Sequence, residues 1–574
     1  MTILGINGDL NSTVNEASAS LVVEGKVVAA VAEERMTRIK MDGCFPVHAI
    51  REVLRIAGIG IQDVDKVALS SLHPAATNRK YLYAALSTFF DTGIFLHKKI
   101  KSFTWNYLYN SIKTPTIQKT IIEGKTFEVF YNDHHKCHAA GAYYCSPFDD
   151  ALIITLDGGG DGLDGSVYSG RESSLELLFE IPHFQSPGTM YSALTHDLGF
   201  KRHRHEGKIT GLAAYGNPDI ERLGLDNLLR YNYKKHRFIS KHIANHHRNL
   251  ISNSNYFYPL IKSVGKEDLA AATQFLFERE ILNFVKDACA VAKLKGLASR
   301  NVCLAGGCFA NVKMNQLILE MKEFDNVYVF PAMGDDGLST GAGLLTYYEV
   351  EKPANKRASI LNNVYLGADF SDDEIRNALA EFNIPNKYCD NIEKLIAQKL
   401  SEKKVVCRFN GRMEYGPRAL GNRSVIAAPF DKTINTWLNK QFQRTEFMPF
   451  APSMIEEYAG EYLENYHSNH AAPDFMTITY KIRKEIASKI PAVVHIDETA
   501  RPQIVKKKVN PSYHRIIEEF YKITGVAVVL NTSYNMHEEP IVYTPADAIR
   551  SFLESKLDFL AIGNFWVEFE AVAK

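Results

Sequence analysis

Short apolar runs broken by polar turns open the chain. Residues 2–8 form an apolar run that reads as a strand. Runs over 17–23 and 26–32, parted by Glu24-Gly25, read as a hairpin. Residues 46–57 carry apolar positions at helical spacing and predict a helix. The layout then recurs. Residues 151–156 read as a strand that runs into Asp157-Gly158-Gly159-Gly160-Asp161-Gly162, and 165–169 and 175–181 follow as strands. Further on, strands at 405–409, 526–530 and 565–569 alternate with helices at 392–400 and 545–555, which makes a second α/β module. Between the two, residues 349–358 are charged, contain Pro353 and lack an apolar period. A boundary is expected there, giving domains over 1–350 and 360–574.

A duplicated strand, small polar loop and hairpin resembles the layout of the actin/sugar-kinase fold, which binds a nucleotide between its halves. The expected fold class is therefore α/β, with a duplicated front domain. Length agrees, because 574 residues exceed what one hydrophobic core serves. Composition excludes several classes. Lys+Arg and Asp+Glu both total 66, so the basic excess of a nucleic-acid binder is absent. Local basic runs at 97–101 and 201–205 read as solvated faces or contacts for a small phosphorylated ligand. No apolar run reaches membrane-spanning length, and the N-terminus does not read as a signal peptide. Eight scattered cysteines without a CxxC pair suit reduced thiols in a cytoplasmic protein.

His134 and His138 lie four apart in Asp-His-His-Lys-Cys-His-Ala-Ala-Gly-Ala. On a helix these positions share a face, so both imidazoles can reach one ion. Histidines at this spacing also arise by chance, and the pair alone proves little. A metalloprotease site would need Glu directly after the first His, where this chain has His135. Carboxylates must complete the set. Asp157 ends a strand and opens a Gly-rich loop, and Asp335 follows the apolar run 327–330. Asp/Gly clusters are more often plain turns. Two His with two carboxylates favour iron or manganese over structural zinc.

The segments in order are more specific than any one of them. They are Asp-His-His-x-x-x, Leu-Asp-Gly-Gly-Gly-Asp-Gly, Glu206-Gly207-Lys208-Ile209-Thr210-Gly211, Ala305-Gly306-Gly307-Cys308-Phe309-Ala310-Asn311 and Gly334-Asp335-Asp336-Gly337. Beyond them come Gly416-Pro417-Arg418-Ala419-Leu420-Gly421-Asn422-Arg423-Ser424, Arg444-Thr445-Glu446-Phe447-Met448-Pro449, Arg501-Pro502-Gln503 and Asn531-Thr532-Ser533-Tyr534-Asn535. Together they resemble the O-carbamoyltransferase family that includes the tobramycin, cephem and nodulation-factor carbamoyltransferases. The resemblance implies a YrdC-like C-terminal domain that joins carbamoyl phosphate to ATP, giving carbamoyl adenylate. It implies an N-terminal domain that transfers the carbamoyl group to a hydroxyl. His134, His138, Asp157 and Asp335 are then the metal ligands, with Fe(2+) as the implied ion and Mg(2+) accompanying ATP. Gly158, Gly159, Gly306 and Gly307 let backbone N–H groups approach the adenylate, and Lys40, Lys208 and Asn311 are candidate contacts to it. Arg418, Arg444, Arg501, Asn531 and Ser533 are the candidate grip for carbamoyl phosphate and ATP. The implied partners are those two substrates and a small hydroxylated metabolite, without nucleic acid or membrane, with a homodimer as the candidate assembly.

The chain departs from the family pattern in two places. Where the family has His-Asp-Ala-Ser, this chain has Asn15-Glu16-Ala17-Ser18. That His is the expected general base, and Asn cannot take a proton at neutral pH. Either the chain is a variant disabled in transfer, or it uses another base or an acceptor that needs none. Met448 stands where several relatives have Arg, and Arg444 or Lys440 is the candidate replacement charge. Two rivals remain at this point. A tRNA threonylcarbamoyl-transfer enzyme resembles the front half, but the balanced charge and the fused second domain argue against it. A non-catalytic regulator is the other. The aromatic-bearing segment 71–102 (Tyr81, Tyr83, Phe89, Phe90) is the candidate wall of the acceptor pocket.

Overall fold

The computed structural model describes residues 1–8, 16–72, 117–122, 124–183, 186–239, 257–444 and 448–572. Asn15, the segment 73–116 with Tyr81, Tyr83, Phe89 and Phe90, and residues 445–447 lie outside them. The chain forms two compact units. The first takes Met1–Gly8, Ala19–Val27 and the described part of Gly60–Ile360. The second takes residues 16–18, Val28–Ile59 and the described part of Leu361–Lys574. The chain thus changes unit more than once, and a single cut near 350–360 does not describe the division. The charged segment 349–358 is partly built into the first unit. The helix Leu338–Glu351 runs through its start, and Lys356 is buried, its Nζ donating to the Tyr143 (2.9 Å) and Ser146 (2.5 Å) carbonyls.

Two larger sheets are built mainly from first-unit residues, although Val28–Ala32 of the first sheet belong to the second unit. One contains β1 (Thr2–Asn7), β2 (Ser18–Val23), β3 (Lys26–Ala32), β4 (Lys66–Leu69), β5 (Ile117–Ile122) and β6 (Lys125–Tyr131), in the order β3-β2-β1-β4-β6-β5. The other contains β7 (Asp150–Gly160), β8 (Leu163–Arg171), β9 (Ser174–Pro182), β12 (Asn301–Ala305) and β13 (Asn326–Val329). A small hairpin, β10 (Arg230–Asn232) with β11 (Arg237–Ile239), stands apart. The second sheet runs β13-β12-β7-β8-β9. Read from its other edge, it repeats the order of the first five strands of β3-β2-β1-β4-β6-β5. The parallel pairs correspond as well: β1 with β4 and β4 with β6, then β7 with β12 and β12 with β13.

The helix His134–Cys145 packs on this framework because it is small along one face. Gly341, on the helix Leu338–Glu351, passes so close that a Cβ there would sit 2.0 Å from the Cys137 carbonyl oxygen. Eleven of the helix's twelve residues are buried, which explains its lack of an amphipathic pattern.

The second unit is built on a mixed eight-stranded sheet. Its strands are β14 (Lys387–Tyr388), β15 (Val406–Phe409), β16 (Arg423–Ala427), β17 (Ala451–Ile455), β20 (Gln503–Val505), β21 (Val528–Ser533), β22 (Phe559–Ile562) and β23 (Phe565–Glu568). The order is β14-β23-β22-β15-β16-β21-β17-β20, and a short pair, β18 (Tyr480–Lys481) with β19 (Thr499–Ala500), lies outside it. The expected helices are present at Ile392–Ser401 and Pro545–Ser555, the latter opened by a Thr544/Asp547 capping box. Among the described residues no helix is long and apolar enough to cross a membrane.

Candidate active site and metal centre

Three elements converge at the first unit's site. Asp133 caps the helix His134–Cys145 by accepting from Lys136 N at 3.0 Å, so His134 occupies the first turn and His138 the next. Strand β7 delivers Asp157. The short turn Asp335–Gly337 delivers Asp335 at the entry to the helix Leu338–Glu351. One ligand atom from each of His134, His138, Asp157 and Asp335 lies within 4.8 Å of the other three. His134 Nε2 is 2.9 Å from Asp157 Oδ2 and 3.8 Å from Asp335 Oδ1. His138 Nε2 is 3.2 Å and 3.6 Å from the same two atoms. That buried nitrogen makes no hydrogen bond of good geometry. Two nitrogen and two carboxylate donors converging on one point, one of them an orphaned buried imidazole, fit a divalent ion.

Charge balance agrees with that fit. Burial alone would hold His134 neutral. The charge of Asp157 and its hydrogen bond outweigh burial and push the ring up to about 10. Burial likewise opposes ionisation of Asp157, but His135 and His134 hold its carboxyl well below the usual range. An ion bound at these ligands would replace the shared proton, so its uptake releases protons.

Glycines set the closeness of the ligands. A Cβ on Gly160 would stand 2.3 Å from the His134 ring. Gly159 donates its N–H to Asp157 Oδ1 at 2.7 Å and has φ +127. Gly306, at φ +99, lies against the Leu156 carbonyl oxygen. Gly158 and Gly307 have open space where a side chain would begin. Asp161 and Gly162, both with positive φ, turn β7 into β8, pairing Gly160 with Leu163.

The remaining first-unit candidates are placed as follows. Asn311 caps the helix Val312–Leu319 by accepting from Met314 N at 3.1 Å. Its amide donates to Gln274 Oε1 at 2.9 Å, and Tyr191 OH donates to the same oxygen at 2.6 Å. Lys208 is buried on the helix Glu206–Ala213, with Nζ 5.3 Å from the centre of the Phe200 ring. Lys40 is not in this unit. It belongs to the second, where burial lowers its pKa and Glu34, Glu538, Arg444 and Arg35 act on it.

In the second unit, Asn531 sits in the middle of the sheet. Its amide donates to the Ala419 carbonyl, Ser453 Oγ and Gln503 Oε1, all at 3.1 Å. Arg418 occupies the neighbouring loop. Glu414 shapes that loop by accepting from the backbone N–H groups of Leu420 (2.8 Å), Asn422 (2.7 Å) and Arg423 (3.2 Å). Arg501 stands just before β20. The Arg444 guanidinium binds Thr532 Oγ1 (3.0 Å), the Ser533 carbonyl (2.9 Å) and both the carbonyl and side-chain oxygens of Asn535 (2.6 and 2.9 Å). It is a clamp on the end of β21, and Ser533 Oγ lies 3.4 Å from it. Arg423, wholly buried and lowered to about 10 by burial, donates to the carbonyls of Asn410, Gly411 and Asn422.

Sequence reasoning passed over His135, Asp161, Asp164, His183 and Glu414. His135 is the middle histidine, hydrogen-bonded to Thr155 Oγ1 (3.0 Å) and to the Leu163 carbonyl (3.2 Å), with burial holding it down at about 4. Asp161 accepts from the backbone of His134 and of Leu72, each at 3.0 Å. The alternation of Asp with Gly through 157–165 was the available signal for Asp161 and Asp164.

A donor set of this kind, in a front unit followed by a separate α/β unit, marks a candidate metal-dependent enzyme. Comparison with known proteins makes the class specific. Residues 3–344 match the family described as Carbamoyltransferase N-terminus, and residues 397–568 match Carbamoyltransferase C-terminus. An uncharacterized protein of Synechocystis sp. is 32% identical across 98% of this chain and 96% of its own length. Nodulation protein NolNO of Sinorhizobium fredii is 30% identical across 99% of this chain and 82% of its own. The 3'-hydroxymethylcephem-O-carbamoyltransferase of Streptomyces clavuligerus is 26% identical across 80% and 84%. The chain belongs to the carbamoyltransferase family and is a carbamoyltransferase, with O-carbamoyl transfer as its supported activity.

Proposed function

We propose that in the second unit water cleaves carbamoyl phosphate to inorganic phosphate and carbamate, and the carbamate attacks the α-phosphorus of ATP, with Mg(2+), so that pyrophosphate leaves and carbamoyl adenylate forms. The first unit then transfers the carbamoyl group to a hydroxyl of a small metabolite. The observation that carries this reading is the convergence of His134, His138, Asp157 and Asp335 within 4.8 Å, inside a chain matched by both carbamoyltransferase families. The repeated strand order of the two first-unit sheets supports reading that unit as a duplicated actin/sugar-kinase-like domain. The second unit is read as YrdC-like.

The four ligands would hold a divalent ion, iron by the donor set. Such an ion, when bound, supplies a Lewis acid for phosphate oxygens and for the carbonyl under attack. The chain's own residues do the rest. Three buried ligands, His134, His138 and Asp157, and the close glycine loop help keep water from a hydrolysable adenylate. The open space beside Gly158 and Gly307 leaves room for a phosphate. In the second unit, Arg418 and Arg501 offer the cationic grip for the two phosphorylated substrates. Asn531 fixes the strand beside Arg418, and Arg444 holds the β21 end in place. The cephem relative's name points to a hydroxymethyl acceptor, and the acceptor here is proposed to be a hydroxyl of the same chemical kind. The test is isotope exchange between pyrophosphate and ATP. Exchange that depends on carbamoyl phosphate is expected, and its absence would sink the adenylate step.

A further inference from the structure

The strand pair that carries Asp157 is irregular beside the candidate metal centre. Leu156 pairs with Gly165 and Gly160 with Leu163, so residues 157–159 stand opposite Asp164 alone. A bulge of this kind re-aims a side chain and interrupts the ladder locally. Here it sorts the two oxygens of Asp157. Oδ1 accepts the Gly159 N–H at 2.7 Å, while Oδ2 lies 2.9 Å from His134 Nε2 and 3.2 Å from His138 Nε2. Ser186 Oγ donates to the Asp157 carbonyl, which fixes the main chain of the bulge.

One side chain spans the bulge. His135 is wholly buried on the helix His134–Cys145. Its Nδ1 lies 3.0 Å from Thr155 Oγ1, on β7 before the bulge. Its Nε2 lies 3.2 Å from the Leu163 carbonyl, on β8 beyond it. A carbonyl only accepts, so Nε2 carries the proton and Nδ1 accepts from the Thr155 hydroxyl. Thr155 Oγ1 in turn accepts from Ser166 N at 3.0 Å and meets Ser166 Oγ at 2.8 Å. Thr155 and Ser166 are as buried as His135, so the chain is closed to solvent. The proton-bearing Nε2 also lies 3.6 Å from Asp157 Oδ1, the oxygen turned away from the ligand histidines.

We propose that His135 is a positioning residue of the metal centre. Without touching the ion, it ties together the two strands on either side of the bulge and holds Asp157 ready for a divalent cation. The role rests on the metal reading above. Outer partners that orient a ligand govern affinity, because a ligand ordered only at the moment of binding weakens it.

The test strips the full chain with chelator and titrates it with Co(II), whose visible bands report its ligands. The His138→Gln chain, which lacks one ligand, marks the bands that belong to this site. In His135→Phe, which keeps a ring, the Co(II) dissociation constant should rise about 10–100-fold. The bands at saturation should match wild type, because His134, His138, Asp157 and Asp335 all remain. Thr155→Val removes only the hydroxyl on Nδ1 and should weaken binding in the same direction. Thr155→Ser restores that hydroxyl and should return to within a few-fold of wild type. Thermal melts of the metal-free chains report folding separately. Variants that melt earlier yet bind Co(II) as tightly as wild type would show a merely structural role and overturn the assignment. Altered bands at saturation in His135→Phe would overturn it as well, and so would Thr155→Ser binding as weakly as Thr155→Val. If His135→Phe does not fold, the Thr155 pair decides by itself. A wild type without Co(II) bands would overturn the metal reading and this role with it, whereas wild-type binding matched by every His135 and Thr155 variant overturns the role alone.

Discussion

Gly160→Ala should displace the candidate ligand His134 without removing any polar group. The backbone at Gly160 is not in the left-handed region, so alanine is tolerated there conformationally. The cost is steric, because the new Cβ would stand 2.3 Å from the His134 ring, whereas ordinary contact begins near 3.4 Å. The ring must retreat by about 1 Å, several times the roughly 0.2 Å tolerance of a metal–ligand distance. Overpacking of this size costs about 1–3 kcal/mol. A misplacement of about 1 Å at a reacting centre costs roughly 100-fold in rate. Gly158→Ala is the matched control, since nothing lies within 4 Å of its would-be Cβ. The assay is metal content after equilibration with a limiting ion, followed by AMP release with carbamoyl phosphate and ATP. Gly160→Ala should bind metal at least about 10-fold more weakly, and Gly158→Ala should hold as much metal as wild type. Equal metal binding by Gly160→Ala and wild type, or equal losses in the two variants, would refute the reasoning.

Two further outcomes follow from the second unit. Arg444→Lys keeps the charge but loses the fork that binds Thr532, Ser533 and Asn535, so it should lower stability by about 1.5–3 kcal/mol, seen as an earlier urea midpoint. Burial raises the Asp474 carboxyl from 3.8 to about 6, against the opposing pull of Lys506. A folded pKa above the unfolded value makes its contribution most favourable below pH 3.8 and progressively lost as pH rises to about 6. Asp474→Asn should therefore gain on wild type across that window, by up to about 3 kcal/mol, in melts at pH 4 and pH 7. A difference independent of pH would contradict the shift.

Much of the framework was legible from periodicity. The strand over 26–32 and the helix over 545–555 stand where the pattern puts them, because each has a clean period and clear end signals: a Glu24-Gly25 turn and a Thr544/Asp547 cap. The strand after residue 150 is longer than expected. Glycines discourage strands, but the Asp161-Gly162 turn closes a ladder that carries β7 through Gly160. The strand expected at 526–530 instead spans Val528–Ser533, because Asn531 and Thr532 find partners inside the sheet. The four metal-ligand candidates were readable as residue types at strand and helix ends. Their partners were not. Asp164 and His183 are 19 residues apart and meet only because β8 and β9 pair. Lys40 and Arg444 share a unit because the segment Val28–Ile59 folds with the C-terminal part of the chain, a non-local event without a local signal.

The most direct test of the account removes one ligand and reads two steps. Asp157→Asn keeps the size of the side chain but loses the carboxylate that lies 2.9 Å from His134 and 3.2 Å from His138. Carbamoyl-phosphate-dependent pyrophosphate exchange should persist in Asp157→Asn, while bound metal and carbamoyl transfer, read as AMP release, should fall together by at least about 100-fold. Transfer that continues after the metal is lost, or exchange that disappears with it, would contradict the account.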